Sequence, residues 1–204
     1  MAAARAGATI AGTMIAPPTT IHQPRGGRSR RRAREFDVVL HDGSMLHVRP
    51  VRDDDGPAMR AFFGALSPES IRLRFFGAPS VEWAAEWAIG AGRGDRCALV
   101  ATSGPQQAIV AHGAYVRGGD DRAEVAFVVA DAWQGRGVAT IMLALLAALA
   151  REQGVVLFTA EVLSRNHRML DVFAHSGFPV ALRYRGDSMD IRFPTSAAAP
   201  PQLD

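Results

Sequence analysis

Glu124 stands near the start of an apolar run, AEVAFVV (123–129), and ten residues later comes Gln134, followed by Gly135, Arg136 and Gly137. An acid among valines and alanines needs a reason to be there, because carboxylates are rarely placed against apolar neighbours. On a partly buried strand its pKa rises, which suits a base working near neutrality. The glycines point to a second chemistry. A helix starting near Gly137 has unpartnered N–H groups and the positive end of its dipole at that point. A diphosphate docks well on such an end. Glycine has no Cβ, so the backbone comes within hydrogen-bond distance of a ligand. Arg136 offers a charge-assisted contact beside it.

Two familiar phosphate motifs are excluded. The dinucleotide fingerprint needs a third glycine where Thr140 stands, and a P-loop needs a lysine, which this chain lacks entirely. Cys97 is the only cysteine. It rules out an internal disulfide or a multi-cysteine metal site and fits a reducing, cytoplasmic compartment. His41 and His47 have no metal-like partners, so no metal is expected. His112, in the middle of an apolar run, reads as a hydrogen-bonded core histidine.

The elements that must position these residues follow from pattern. The chain has 204 residues, enough for one domain with a real core. Residues 1–34 hold seven arginines and no acid, which leaves 16 arginines against 20 acids in residues 35–204. Residues 1–36 read as a disordered arginine-rich leader with a loose likeness to a transit peptide. The basic run RGGRSRRRAR (25–34) has no aromatic to stack on a base, which argues against a nucleic-acid partner. The longest apolar run, Val138 to Ala150, is 13 residues, too short to span a bilayer.

Leu46 and Val48 alternate as in a half-buried strand. Acids and Pro57 in RDDDGPAMRAFFGAL (52–66) mark a helix start, as do Ser67-Pro68-Glu69 and Ser80-Val81-Glu82. Trp83 and Trp87, at i and i+4, make one packing face. Residues 96–102, 107–117 and 123–130 read as an antiparallel meander, split by Gly104-Pro105 and by Gly118 to Asp121. A buried helix runs from about Gly137 to Gln153 and stops at Gly154. A strand follows at 155–162, then a helix at 164–177 with Ser164 as its cap, then a hairpin around Gly186-Asp187. Residues 195–204 read as a frayed tail. The sum is an α/β domain over 37–194, with a mixed, mostly antiparallel sheet flanked by helices.

The pattern Gln134-x-x-Gly137-x-Ala139 resembles the acyl-CoA-binding motif of the GNAT superfamily of N-acetyltransferases. A β-rich run precedes it and a long apolar helix follows. NHRMLDVFAHSGF (166–178) is similar to that family's second segment, an Asn and an apolar helix ending in Gly-Phe. The likeness covers roughly residues 44–193. It implies a V-shaped split between the strands at 123–130 and 155–161, with acetyl-CoA lying in it. Backbone groups of Phe127, Val128 and Val129 would hold the pantetheine and thioester like an extra strand. Amides of Gln134, Gly135, Arg136, Gly137, Val138 and Ala139 would hold the pyrophosphate, and Asn166 would contact the cofactor arm.

Acyl transfer to an amine needs a neutral nucleophile, and a free lysine, with a pKa of ~10.4, is charged near pH 7. Glu124 matches the place where GNAT protein-lysine acetyltransferases carry a glutamate, so the resemblance makes it the general base. A backbone N–H near Val129 would stabilise the charge that develops on the carbonyl oxygen. Many members use a tyrosine in the second segment as the acid, but Phe173 stands there, and phenylalanine cannot donate a proton. Water could serve, and Tyr184 is a weaker candidate. LSPESIRLRFFG (66–77) resembles a segment of bacterial Pat-type enzymes, which acetylate lysines of acyl-CoA synthetases. That likeness implies a protein-lysine acceptor. A small-amine or protein N-terminal acetyltransferase, a non-catalytic acyl-CoA sensor and a nucleic-acid-binding role for the tail are the competing readings.

Overall fold

The computed structural model describes residues 35–196 apart from Arg93 and Asp120. The leader, except for its last two residues, and most of the C-terminal tail lie outside the described residues. The elements run β1 (Phe36–Val39), β2 (Met45–Pro50), α1 (Gly56–Gly64), α2 (Pro68–Phe75), α3 (Val81–Gly90), β3 (Arg96–Ser103), β4 (Ala108–Arg117) and β5 (Arg122–Val129). Then come α4 (Val138–Glu152), β6 (Leu157–Leu163), α5 (His167–Ala174), β7 (Ala181–Tyr184) and β8 (Ser188–Pro194). The eight strands form one sheet in the order β1-β2-β3-β4-β5-β6-β8-β7. Every neighbouring pair is antiparallel except β5 and β6, which are parallel and joined through α4. A parallel pair needs such a crossover.

The expected meander is β3-β4-β5 and the expected final hairpin is β7-β8. β1 was not anticipated. It is four residues long, and it exists by pairing with β2, from Phe36 opposite Val48 to Val39 opposite Met45. Glu35 and Phe36, expected in the leader, are tied into the body: Glu35 pairs with Arg52 at 2.7 Å and with His47 at 3.3 Å. At the other end Thr195 is buried and donates from its hydroxyl to the Val155 carbonyl at 2.8 Å.

Two layers of helix cover the sheet. α4 is apolar on nearly all sides and buries Met142, Leu143, Leu146 and Ala147 against Val125 and Phe127 of β5. On the other face Met59, Phe62 and Phe63 of α1 and Ala84, Ala85 and Ala88 of α3 pack with Val100 and Val128. Ser67 and Ser80 cap α2 and α3 as expected, each accepting from the N–H three residues on at 3.2 Å. Trp83 and Trp87 do share a face, both meeting the ring of Phe75.

The acids before α1 do more than start a helix. Asp53–Asp55 forms a single 3-10 turn, and Asp55 receives two hydrogen bonds from Arg49, at 2.6 and 2.8 Å, and one from the Arg52 N–H at 2.7 Å. Both side chains of the Arg49–Asp55 pair are nearly buried. Burial alone would push the Asp55 carboxyl up, but the Arg49 and Arg52 hydrogen bonds and the Arg49 charge outweigh it and hold it below the usual carboxylate range. Its folded pKa lies below its unfolded one, so the pair stabilises the fold above about pH 4 and loses that contribution as pH falls through the folded value. Asp55→Ala leaves Arg49 uncompensated and should cost about 3–5 kcal/mol at pH 7. Urea unfolding at pH 7 and pH 3 checks this: the gap to wild type should narrow at pH 3, and a gap independent of pH would show that the charge is irrelevant.

Candidate active site

β5 and β6 pair over three residues only: Arg122 with Leu157, Ala123 with Phe158 and Glu124 with Thr159. From Val125 onward the two strands part. This is the expected V-shaped split, and Glu124 is the last paired residue at its apex. The opening continues as a cleft of about 1100 Å³, large enough for a cofactor of nucleotide size.

The predicted cofactor residues fall along it. Phe127, Val128 and Val129 form one wall, and Gln134, Gly135, Gly137, Val138 and Ala139 form the end near α4. Asn166 lines both this cleft and its narrow end, where Phe173 also sits. Gly135 and Gly137 have φ of 76° and 82°, and no protein atom lies within 4 Å of where a Cβ would stand on either. The backbone conformation calls for glycine, and the space beside it is open cleft. Gly137 is the N-cap of α4, whose first internal bond runs from the Ile141 N–H to the Gly137 carbonyl at 3.1 Å. The earlier amides of the helix face the cleft end with no partner inside the helix.

Three side chains at this end of the cleft are engaged within the protein. Arg136 does not line the cleft; its guanidinium lies 3.3 Å from Asp42 in the β1–β2 turn and 4.9 Å over the ring of Trp133. Gln134 spends its side chain within the protein, donating to the Val129 carbonyl and the Ser70 hydroxyl, both at 3.2 Å, and accepting from Arg168 at 2.9 Å. Asn166, and not Ser164, caps α5, its Oδ1 accepting from the Met169 N–H at 3.2 Å. The reason is that β6 continues through Leu163, paired with Ser188, so the helix cannot begin until three residues later than expected.

A network braces this end of the cleft. Asp131 accepts from the Ser67 N–H at 2.9 Å and from the Ser67 and Ser70 hydroxyls at 2.7 Å each. Burial pushes its carboxyl up, but these three donors outweigh burial and leave it below its ordinary value. Ser70 in turn meets Gln134, and Gln134 meets Arg168, so α2, the glycine turn and α5 are joined in one chain of hydrogen bonds.

Other candidates are removed by position. His112 is fully buried on β4, but neither ring nitrogen has a hydrogen-bond partner, so it is a core histidine without the hydrogen bond expected of it; burial and then the charge of Arg74 push it down to about 3. It is neutral at ordinary pH and has no route to the cleft. Tyr184 is exposed on β7 and does not line the cleft. Phe173 is buried against Phe127 and Phe193 at ring distances of 5.9 and 5.5 Å, an apolar wall with no proton to give. Burial pushes the Cys97 thiol up to about 11, so it is no nucleophile.

Sequence reading passed over several cleft residues. Arg165, His167 and Arg168 project from the start of α5, and Arg74 and Glu161 line the narrow end. A basic cluster flanking the second segment, SRNHR, was the available signal for the first three.

The motif, the split sheet and the buried helix behind the glycine turn define the class: the GNAT acetyltransferase domain matches residues 45–179, and the chain belongs to that family. Within it the likeness is to Pat proteins. Acetyltransferase Pat of Mycolicibacterium smegmatis is 30% identical over 145 residues, which are 69% of this chain and 43% of that protein. The chain therefore spans less than half the length of that curated relative. The crystal structure of the GNAT domain of S. lividans PAT is 38% identical, with a TM-score of 0.71, over 78% of this chain and 96% of that one. The Salmonella typhimurium protein yncA, solved with acetyl-CoA, shares the fold at 16% identity and a TM-score of 0.57, over 78% of this chain and 99% of that one.

The cleft fits acetyl-CoA in this chain's own terms: a glycine turn open to a diphosphate, free helix amides, and a strand wall at Phe127–Val129 whose β6 side has no partner strand. Among the described residues no group of His, Cys, Asp or Glu is placed to hold a metal ion, and no helix is long and apolar enough to cross a membrane.

Proposed function

We propose that this protein is a cytoplasmic protein-lysine acetyltransferase that uses acetyl-CoA, takes an acyl-CoA synthetase as its target and employs Glu124 as general base. The observation that carries the reading is the end of the β5–β6 pairing at Glu124. It puts Glu124 at the apex of the gap, next to the stretch of β5 whose free edge suits a thioester. Likeness to Pat proteins supports a lysine acceptor, and the acidic balance of residues 35–204 suits a basic substrate.

Acetyl-CoA supplies an activated thioester carbonyl. The turn at Gly135 and Gly137 and the first amides of α4 hold its diphosphate, and Phe127–Val129 align the acyl arm. Glu124 takes the proton from the lysine amine, directly or through one water, as the nitrogen bonds to the carbonyl carbon. A β5 backbone N–H near Val129 stabilises the charge gathering on the carbonyl oxygen. The carbon–sulfur bond breaks and CoA leaves as its thiolate, which water protonates, because Phe173 has no proton to offer.

The test is acetyl mass spectrometry on acyl-CoA synthetases incubated with this protein and acetyl-CoA. One modified lysine per synthetase is the expected result. Steady-state CoA release with small amines alone would move the acceptor to another class, and binding without CoA release would make the protein a sensor.

A further inference from the structure

Arg74 is a costly side chain to bury, and nothing in the reaction above uses it. It is 5% exposed, on the inner side of α2, and α2 packs across β5. Its guanidinium carbon lies 4.8 Å over the ring of Phe75 and 4.9 Å from the ring of Trp87. The stacking explains how the group is held. It does not explain why the group is charged. All three guanidinium nitrogens are buried with no hydrogen-bond partner, although an arginine has five N–H donors to satisfy. An aliphatic side chain would pack between those rings without the desolvation penalty of a cation.

The surroundings say what the charge faces. Strand alternation puts Glu124 on the same side of β5 as Ala126 and Val128, the side where Val128 packs with α1 and α3, and Arg74 lines the narrow end of the cleft with Ala126 and Phe127. Burial lowers the guanidinium to about 10, so it stays charged at neutral pH, and the carboxylate whose charge supports it is that of Glu124. Other titratable groups stand around that face among the described residues. His112 on β4 is neutral. Glu161 on β6 accepts from the Ser188 hydroxyl at 2.7 Å. Arg122, two residues before Glu124, lies 3.7 Å from Asp121. Phe75 and Trp87, from α2 and α3, bring no charge.

We infer that Arg74 is a positioning residue for catalysis: its buried charge keeps the Glu124 carboxylate ionised and ready to accept the proton of the incoming amine. This rests on the reading of Glu124 as the base. Glu124 lies at the apex of the split among apolar neighbours, where burial would favour the protonated, useless form. A cation fixed between two rings and spending no hydrogen bond elsewhere opposes that.

The experiment is the pH profile of kcat/KM from pH 5 to 9, by CoA release with a lysine-containing acceptor, for wild type, Glu124→Gln, Arg74→Lys and Arg74→Met. Methionine keeps length and packing but removes charge. Arg74→Met should move the acid limb up by about one pH unit or more, the usual effect of one close charge, with lost rate regained at higher pH. Arg74→Lys should keep the wild-type midpoint. An Arg74→Met profile that is scaled down but unshifted, with or without a lower Tm, overturns the inference and leaves Arg74 as a packing residue. If the wild-type limb survives in Glu124→Gln, the base reading itself has failed, a different result from an unshifted Arg74→Met. Should Arg74→Met not fold, the Tm of Glu124→Gln decides: removing the carboxylate's charge should lower Tm at pH 7 and not at pH 4, and an unchanged Tm at pH 7 overturns the pairing.

Discussion

Glu124→Gln should leave acetyl-CoA affinity nearly unchanged and lower turnover by ~10²–10⁴, the usual scale for losing a positioned base. The substitution keeps shape and hydrogen bonding, so binding at the far end of the cleft has no reason to suffer. The wild-type rate should rise with pH through the titration of the base. The variant should lose that inflection and recover in part at high pH, where free lysine amine, with a pKa of ~10.4, becomes abundant without help. Isothermal calorimetry for affinity and CoA release for rate separate the two effects. Normal turnover at pH 7 would put the base elsewhere. His112 could not replace it, since it is fully buried beneath α1 and α3 and burial pushes it down to about 3; solvent would be left as the acceptor of the proton.

Gly137→Glu should weaken acetyl-CoA binding by about a hundredfold, the scale of a lost hydrogen bond to a charged group with repulsion added. The Cβ would enter space that no protein atom occupies, so the injury falls on the ligand. The left-handed backbone at Gly137 adds about 1–2 kcal/mol of strain for any other residue. Gly137→Ala carries nearly the same strain without the charge or the bulk and serves as the control. Its Tm should fall as far as that of Gly137→Glu while it keeps much more affinity. Equal affinity in all three proteins by calorimetry would remove the diphosphate from this turn.

Much of this was legible because local pattern and tertiary demand agree. The meander, the greasy helix α4 and the turn between them are set by alternation, by apolar length and by glycine, all local signals. Glu124 stood out because an acid within AEVAFVV has few structural uses. What escaped depends on partners distant in sequence. β1 is a strand only because β2 lies alongside it. The start of α5 is fixed by how far β6 pairs with β8, which no cap residue reveals. Arg136 reads as a phosphate contact, and its guanidinium lies 3.3 Å from Asp42, 94 residues earlier, a neighbour no local pattern reveals. Arg74 was the hardest to see. In PESIRLRF it resembles any exposed helix arginine, and its burial is decided by Trp87 of a different helix.

The parting of β5 and β6 has a consequence for solubility. A sheet that opens in its middle gains two edges of unpaired amides and carbonyls, and exposed edges invite pairing with the strands of other molecules. Here both edges face inward across a wedge closed at Glu124 and flanked by α2 and α5. A slender unbranched arm with amides at intervals needs less room between those edges than a strand with side chains above and below. The same geometry therefore favours a thin partner bearing amides as the one that completes the sheet.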